Sequence, residues 1–214
     1  MMKYESYQYL YPPRPSNAIP PKYLGDWDNG TMVAQPKLNG SNCLLFTDGT
    51  RVVAMNRHAQ RLTGFRIPDS EILTVLDGRS RGWTVLNGEY LNKSKPDETG
   101  TVLAHKLVIF DILVRDSEYL VGTTFEERIA IMDSMFGDDL SPWTYMTAVS
   151  PSILRVRSYR DGFSGLFDDL TRRGSLIEGV VLKRRTAKLE VGSTESNNVR
   201  SQVKCRVPTK NYRF

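Results

Sequence analysis

MVAQPKLNGSNCLLFTDGTRVVAM, residues 32–55, decides the fold. The runs MVAQPKL (32–38), NCLLFT (42–47) and RVVAM (51–55) each have the length and aliphatic content of a short strand, and Asp48-Gly49-Thr50 between the last two is a hairpin signal. Lys37 lies between Pro36 and the turn-forming Leu38-Asn39-Gly40, with aliphatic residues on both sides. It is either a solvated charge at the mouth of a hairpin or a nucleophile. The tetrapeptide does not choose, since K-x-[DN]-G arises by chance in roughly one in ten chains of this length.

Working outward, residues 1–30 are rich in Tyr and Pro and read as an extended arm with turns, because Pro fixes φ and removes a donor. Residues 31–214 then form one compact body. DSEILTVLD (69–77) predicts a helix with Asp69 or Ser70 as cap and Gly78 as its end. Strands follow in WTVLNGEYL (83–91) and KLVIFDILV (106–114). TFEERIAIMDSMFG (124–137) is a second helix, in which Thr124 and Glu127 make a capping box and Phe125, Ile129, Met132 and Phe136 share a face. DGFSGLFDDLTRRG (161–174) is a third, with Phe163, Leu166, Phe167 and Leu170 at helical spacing and Gly174 as its stop. SLIEGVVLKR (175–184) and QVKCRV (202–207) return to strand patterning. Strands cluster into hairpins and outnumber helices, which predicts an α+β domain of mixed or antiparallel sheets.

Composition narrows the chemistry. The 214 residues hold enough apolar content for a real core. No run of eighteen apolar residues and no signal-peptide pattern occur, so a cytoplasmic location and no membrane partner are expected. Cys43 and Cys205 lack C-x-x-C spacing and only His58 and His105 exist, which supports neither a zinc site nor a disulfide framework. Nine of the 29 basic residues lie from Lys183 onward against Glu190 and Glu195, leaving 20 basic and 22 acidic residues before them. The net charge of +5 is therefore a property of the C-terminal segment, and it points to a polyanion such as nucleic acid or nucleotide phosphates, or else to a solvated basic tail.

Neither G-x-x-x-x-G-K-[ST] nor G-x-G-x-x-G is present, so a glycine loop for phosphates is not available. Reading on from Lys37, NRHAQRLTG (56–64), LNGEYL (86–91), VIFDIL (108–113), IEGVVLK (177–183) and VKCR (203–206) follow in order. Together these resemble the collinear motifs I, Ia, III, IIIa, IV and V of the covalent nucleotidyltransferases, the superfamily of ATP-dependent DNA ligases, RNA ligases and mRNA capping enzymes. The resemblance spans residues 31–206. It implies an adenylation domain of mixed sheets flanked by helices, with ATP and Mg²⁺ or Mn²⁺ as cofactors.

By that resemblance Lys37 attacks the α-phosphate of ATP and becomes a lysyl-adenylate. The attacking amine must be neutral, whereas an unperturbed lysine at neutral pH is deprotonated only in about one molecule in a few thousand. Nearby cations lower that cost, and Lys204, Arg206 and a bound metal are the expected sources, which also stabilise charge on the phosphate. The alternation in VKCRV puts Lys204 and Arg206 on one strand face. Arg57, read on the strand after the first hairpin, matches the arginine that contacts phosphate; its plain alternative is a surface arginine. Glu89 matches the ribose-binding glutamate, or is edge-exposed. Phe110 matches the aromatic that stacks on the purine, although alone it reads as core. Glu178 matches the metal-binding glutamate. Lys183 reaches phosphate or is solvated, and Gln35 offers an acceptor to a purine amino group.

Asn42 in KLNGSN and the VKCR form lean toward RNA ligases of the RNA ligase 2 type, a class that includes phage repair enzymes, while RHAQRLTG looks more like a DNA ligase. Asn39 stands where Asp or His is commoner, Gln35 replaces an acidic residue, and Arg206 replaces a lysine with a less point-like charge. Eight residues follow Arg206, with no OB-fold domain among them. The expected function is an ATP-dependent polynucleotide ligase joining a 5′-phosphate to a 3′-hydroxyl, with RNA favoured over DNA as substrate, and with a partner domain or protein supplying end recognition. The competing readings are a DNA ligase, a GTP-using capping-type guanylyltransferase, and a non-catalytic nucleotide- or RNA-binding module.

Overall fold

Alternation along the strands decides which side chains meet the core and which meet the cleft. The computed structural model describes residues 9–77, 81–96, 100, 102–137, 145–172 and 176–207. Four strands make the first sheet, in the order β1 (Arg14–Ala18), β11 (Asn198–Arg206), β10 (Ile177–Arg184), β2 (Met32–Leu38). The second runs β4 (Val52–Met55), β3 (Ser41–Thr47), β5 (Thr84–Pro96), β6 (Val102–Arg115), β9 (Ile153–Val156), β8 (Met146–Ala148), with β7 (Glu118–Tyr119) also paired to β6. Most pairs are antiparallel, but β1 runs parallel to β11 and β6 parallel to β9. The expected α+β architecture of mixed sheets is therefore present, and among the described residues no OB-fold barrel accompanies it.

Two apolar cores hold the sheets. In the first, Leu44, Leu86, Ile109 and Ile112 of the larger sheet pack with Ile72 and Val75 of α1 (Asp69–Leu76) and Ile129 and Met132 of α2 (Phe125–Phe136). In the second, Ala34, Val180, Leu182, Val203 and Cys205 of the smaller sheet pack with Phe163, Phe167 and Leu170 of α3 (Phe163–Arg172) and Leu24. Each Val, Leu, Ile, Phe or Met so buried contributes about 1.5–3 kcal/mol. Both cysteines are free and buried.

Local signals set the helices as the patterning implies, with one correction. Thr124 and Glu127 form the capping box of α2. In α1 neither Asp69 nor Ser70 is the cap. Pro68 takes that place: its extended backbone (φ −61°, ψ 135°) lets its carbonyl accept from Glu71 and Ile72, while Asp69 and Glu71 sit in the first turn where the helix dipole favours negative charge. The stops assigned to Gly78 and Gly174 lie outside the described residues. The Pro-rich segment contributes β1 and a 3-10 turn, Pro21–Trp27, whose Leu24 is wholly buried.

Behind the second sheet lies a charged pair that periodicity does not reveal. Arg128, on the buried side of α2, grips Asp111 with two hydrogen bonds (Nε to Oδ1 2.8 Å, Nη2 to Oδ2 3.2 Å) and donates a third to the Thr123 carbonyl. Both side chains are almost fully buried. Arg128→Ala is expected to destabilise the protein by about 3 kcal/mol or more, because it strands the Asp111 carboxylate in the core. Urea titration monitored by circular dichroism measures this, and Arg128→Ala with Asp111→Ala should lose less than the sum of the single changes.

Candidate active site

A cleft of about 690 Å³ opens between the sheets, and all eleven residues singled out above line it: Gln35, Lys37, Asn39, Asn42, Arg57, Glu89, Phe110, Glu178, Lys183, Lys204 and Arg206. One wall is the smaller sheet. Lys37 is in register with Gly179 and that with Arg206, Gln35 with Val181 and that with Lys204, so period-two alternation presents Gln35, Lys37, Val181, Lys183, Lys204 and Arg206 together. Val203 and Cys205 point the other way into the core. The larger sheet supplies Asn42, Asn87, Glu89 and Phe110. The two walls are joined by the turn between β2 and β3, where a side chain on Gly40 would meet the Tyr90 carbonyl oxygen at 2.6 Å.

Glu178 reaches the cleft by an irregularity. In an unbroken β10 it would share a face with the fully buried Val180 and Leu182. The register with β2 shifts between Ile177 and Gly179, a bulge that turns the carboxylate toward Lys37. Lys37 Nζ donates to Glu178 Oε2 at 2.5 Å, and Arg206 Nη1 lies 4.0 Å from the same oxygen. Lys204 is shifted below the usual lysine range, by burial first and then by the charges of Arg206, Lys37 and Arg14. The amine is thus set among cations and against one carboxylate.

Glu89 accepts from the Gly40 N–H at 3.0 Å. Burial pushes its carboxyl up to about 7; Lys37, the Gly40 bond and Arg57 oppose that rise, and Glu178 adds to it. Because the folded value exceeds the 4.5 of a free glutamate, the folded protein binds the extra proton between the two. Glu89 therefore contributes stability that is fully present below about pH 4.5 and lost as pH rises through about 7. Urea melts at pH 5 and pH 8 should show the wild type losing more stability than Glu89→Gln over that interval, with a difference in slope of at most about 1.4 kcal/mol per pH unit.

Lys183 and Gln35 meet at the deep end. Gln35 is buried; its Nε2 donates to the Phe110 carbonyl (3.3 Å) and Ser158 Oγ (3.0 Å), which leaves Oε1 buried without a partner. Lys183 Nζ lies 3.5 Å from the same Phe110 carbonyl and over the rings of Phe110 (4.8 Å) and Phe125 (4.6 Å). Burial pushes its pKa down to about 8, Asp111 opposing and Arg128 assisting. It therefore stands with the aromatic rather than with Lys37, Lys204 and Arg206.

Arg57 is not on a strand; it follows β4 in a turn, since β4 ends at Met55. Its Nε donates to His58 Nε2 (3.2 Å), which leaves the ring proton on Nδ1, hydrogen-bonded to Glu195. Asn42 donates to Asn87 Oδ1 (2.9 Å) and to the Gly88 carbonyl, and its own Oδ1 is a buried acceptor without a partner. Asn87 and His58 lie inside LNGEYL and NRHAQRLTG but were not singled out, and Glu195 lies outside every motif, because their contacts rest on partners 45 to 137 residues away.

The sequence model of a family described as RNA ligase matches residues 30–204. The chain belongs to the RNA ligase family. No curated protein is similar enough in sequence to match it. Among solved structures, a mycobacterial DNA ligase D complexed with ATP and MES is similar over 92% of this chain, with 18% identity and a TM-score of 0.64. The ligase domain from M. tuberculosis LigD is equally similar (18%, TM-score 0.64, 92% of this chain). The ATP-dependent DNA ligase from bacteriophage T7 in complex with ATP follows at 15% identity and TM-score 0.55, over 92% of this chain and 68% of that one. The RNA ligase family member spans about 60% of the length of the two ligase D chains. At such identities the likeness is one of fold, that of a covalent nucleotidyltransferase domain.

Among the described residues no group of three or more His, Cys, Asp or Glu gathers, so a divalent cation bound by such side chains there would have one or two protein ligands. That suits Mg²⁺, which takes one or two carboxylates and completes its shell with phosphate oxygens and water. Glu178 meets the requirement, and Glu89 is near enough to feel its charge.

Proposed function

We propose that the protein is an ATP-dependent polynucleotide ligase that seals a 5′-phosphate to a 3′-hydroxyl, with RNA as the favoured strand, through a lysyl-AMP intermediate on Lys37. The observation that carries this reading is the Lys37 amine, hydrogen-bonded to Glu178 and flanked by Lys204 and Arg206 on one wall of a nucleotide-sized cleft. In the first step Lys37 Nζ forms a bond to the α-phosphorus, the bond to the bridging oxygen breaks, and pyrophosphate leaves with that electron pair. Two protons leave Nζ: the first passes from the ammonium along the hydrogen bond to Glu178 and on to solvent before attack, and the second goes to solvent once the nitrogen–phosphorus bond has formed. Lys204 and Arg206 face the developing phosphate charge, with no reorganisation needed during the reaction. When Mg²⁺ or Mn²⁺ is bound, Glu178 would hold it, and it would supply charge neutralisation on phosphate oxygens. The nucleic-acid 5′-phosphate then takes AMP from Lys37, and the 3′-hydroxyl displaces AMP to close the strand.

The deep end supports adenine. Adenine presents a donor at N6 and an acceptor at N1, complementary to the unpaired Gln35 Oε1 and the Lys183 ammonium. Guanine reverses both. Phe110 and Val181 line the cleft from the two sheets, and Phe110 offers an aromatic surface for the purine. Asn42 supports RNA, whereas the solved structures of similar fold are named DNA ligases, which keeps strand type as the second reading.

Incubation with α-labelled ATP or GTP, followed by denaturing electrophoresis, tests the proposal. Covalent label from ATP and not GTP is expected; label from GTP points to a capping-type activity, and no label from either removes the enzymatic reading. Nicked duplexes with RNA or DNA in each strand position then assign the substrate.

A further inference from the structure

The cleft carries a cation that none of the assignments above uses. Pro12, Pro13, Arg14 and Pro15 form part of its rim. Arg14 opens β1, where its N–H donates to the Asn197 carbonyl (2.9 Å), and the same strand is tied further on by the Ile19 N–H to the Lys204 carbonyl (3.0 Å). Proline on either side restricts the backbone at 13 and 15 and disfavours helical conformations at 14, so the strand that carries Arg14 along the rim is held extended before any ligand arrives. Among the described residues no carboxylate pairs with its guanidinium. Its charge nevertheless reaches Lys204, on which it acts together with Arg206 and Lys37. Two cations that face each other across the cleft rim are repulsive at rest, and the pair becomes favourable when an anion enters.

We propose that Arg14 is a further phosphate-binding residue of the cleft, supplied by the Pro-rich segment, whose guanidinium grips a phosphate other than the one Lys37 attacks. This rests on the ligase reading. Lys37, Lys204 and Arg206 already surround the α-phosphate position, so the oxyanion left for Arg14 is either the β,γ end of the triphosphate or the 5′-phosphate of the strand to be sealed. Arginine suits both, because its planar fork bonds two phosphate oxygens at once.

The test measures binding without chemistry. In a Lys37→Ala background, titration calorimetry compares Arg14 with Arg14→Ala against four ligands: ATP, AMP, a nicked duplex with a 5′-phosphate, and the same duplex with a 5′-hydroxyl. Arg14→Ala should weaken one phosphate-bearing ligand by about tenfold or more while leaving its counterpart within about twofold. Selective loss on ATP over AMP assigns the β,γ-phosphates, and selective loss on the 5′-phosphorylated duplex assigns the strand end. Arg14→Lys should recover part of either loss, and Lys22→Ala, which removes an exposed charge outside the cleft, should change none of the four. Equal loss on all four ligands, or on none, overturns the proposal. Failure of the ligase reading is seen separately, as absence of covalent label from ATP in the wild-type protein.

Discussion

Lys37→Ala is expected to abolish covalent capture of AMP, reducing label from α-labelled ATP by at least about four orders of magnitude, because it removes the amine that is hydrogen-bonded to Glu178, and the neighbouring Lys204 makes no such contact among the described residues. Lys37→Arg should fail as completely. A guanidinium keeps the charge but has no lone pair to offer at neutral pH. The loss should be chemical rather than structural: Lys37 and Glu178 are partly open to solvent, so breaking their ion pair should cost about 1 kcal/mol or less. Thermal melts of the two proteins should therefore nearly coincide. A strand supplied already adenylated bypasses the lysine, and both variants should still seal it measurably. Retained label in Lys37→Ala would move the nucleophile elsewhere and undo the assignment of the cleft.

Gly179→Ala should be nearly as damaging, for a different reason. Gly179 has φ +146°, a backbone conformation that L side chains rarely adopt, and a Cβ there would stand 2.1 Å from the Cys205 carbonyl oxygen and 2.7 Å from the Arg206 Cα. Neither neighbour is the movable end of a side chain. Strain and overpacking together should destabilise the fold by about 4 kcal/mol or more. Relief would come from straightening the bulge, which rotates Glu178 away from Lys37 toward the buried face. Adenylation should accordingly fall by more than about a hundredfold even where the variant still folds. Glu178→Gln provides the comparison: it should lose activity with little change in the urea midpoint. If Gly179→Ala kept both wild-type stability and wild-type labelling, the bulge could not be what places Glu178.

The site was legible to the extent that it follows strand alternation. Lys204 and Arg206 share a face because the period of a strand is two, and VKCR states that period within four residues. Gln35 and Lys37 follow the same rule on β2. Phe110 could not be told from a core residue by its own segment, since VIFDIL is apolar around it; it faces the cleft because Val108, two residues earlier on β6, pairs with Glu89 of β5, and that pairing is not written in either segment. Lys183 reads in sequence as reaching phosphate or as solvated, and the structure buries it. Its spacing from Glu178 suggests phosphate, whereas Phe125 arrives from α2 to make an aromatic site for its ammonium at the deep end.

What the sequence determined by itself was local and periodic: the strand segments around Lys37, the capped second helix, the apolar faces of α2 and α3, and the order of motifs that marks the family. Tertiary structure alone decided the parallel docking of β1 on β11, the Asp111–Arg128 pair, the Glu195–His58–Arg57 chain and the aim of Glu178. Each of these depends on two segments far apart in the chain meeting at one register. A dihedral preference or a hydrophobic period acts over a few residues and cannot encode which distant backbone will lie alongside; only packing of the whole chain selects that.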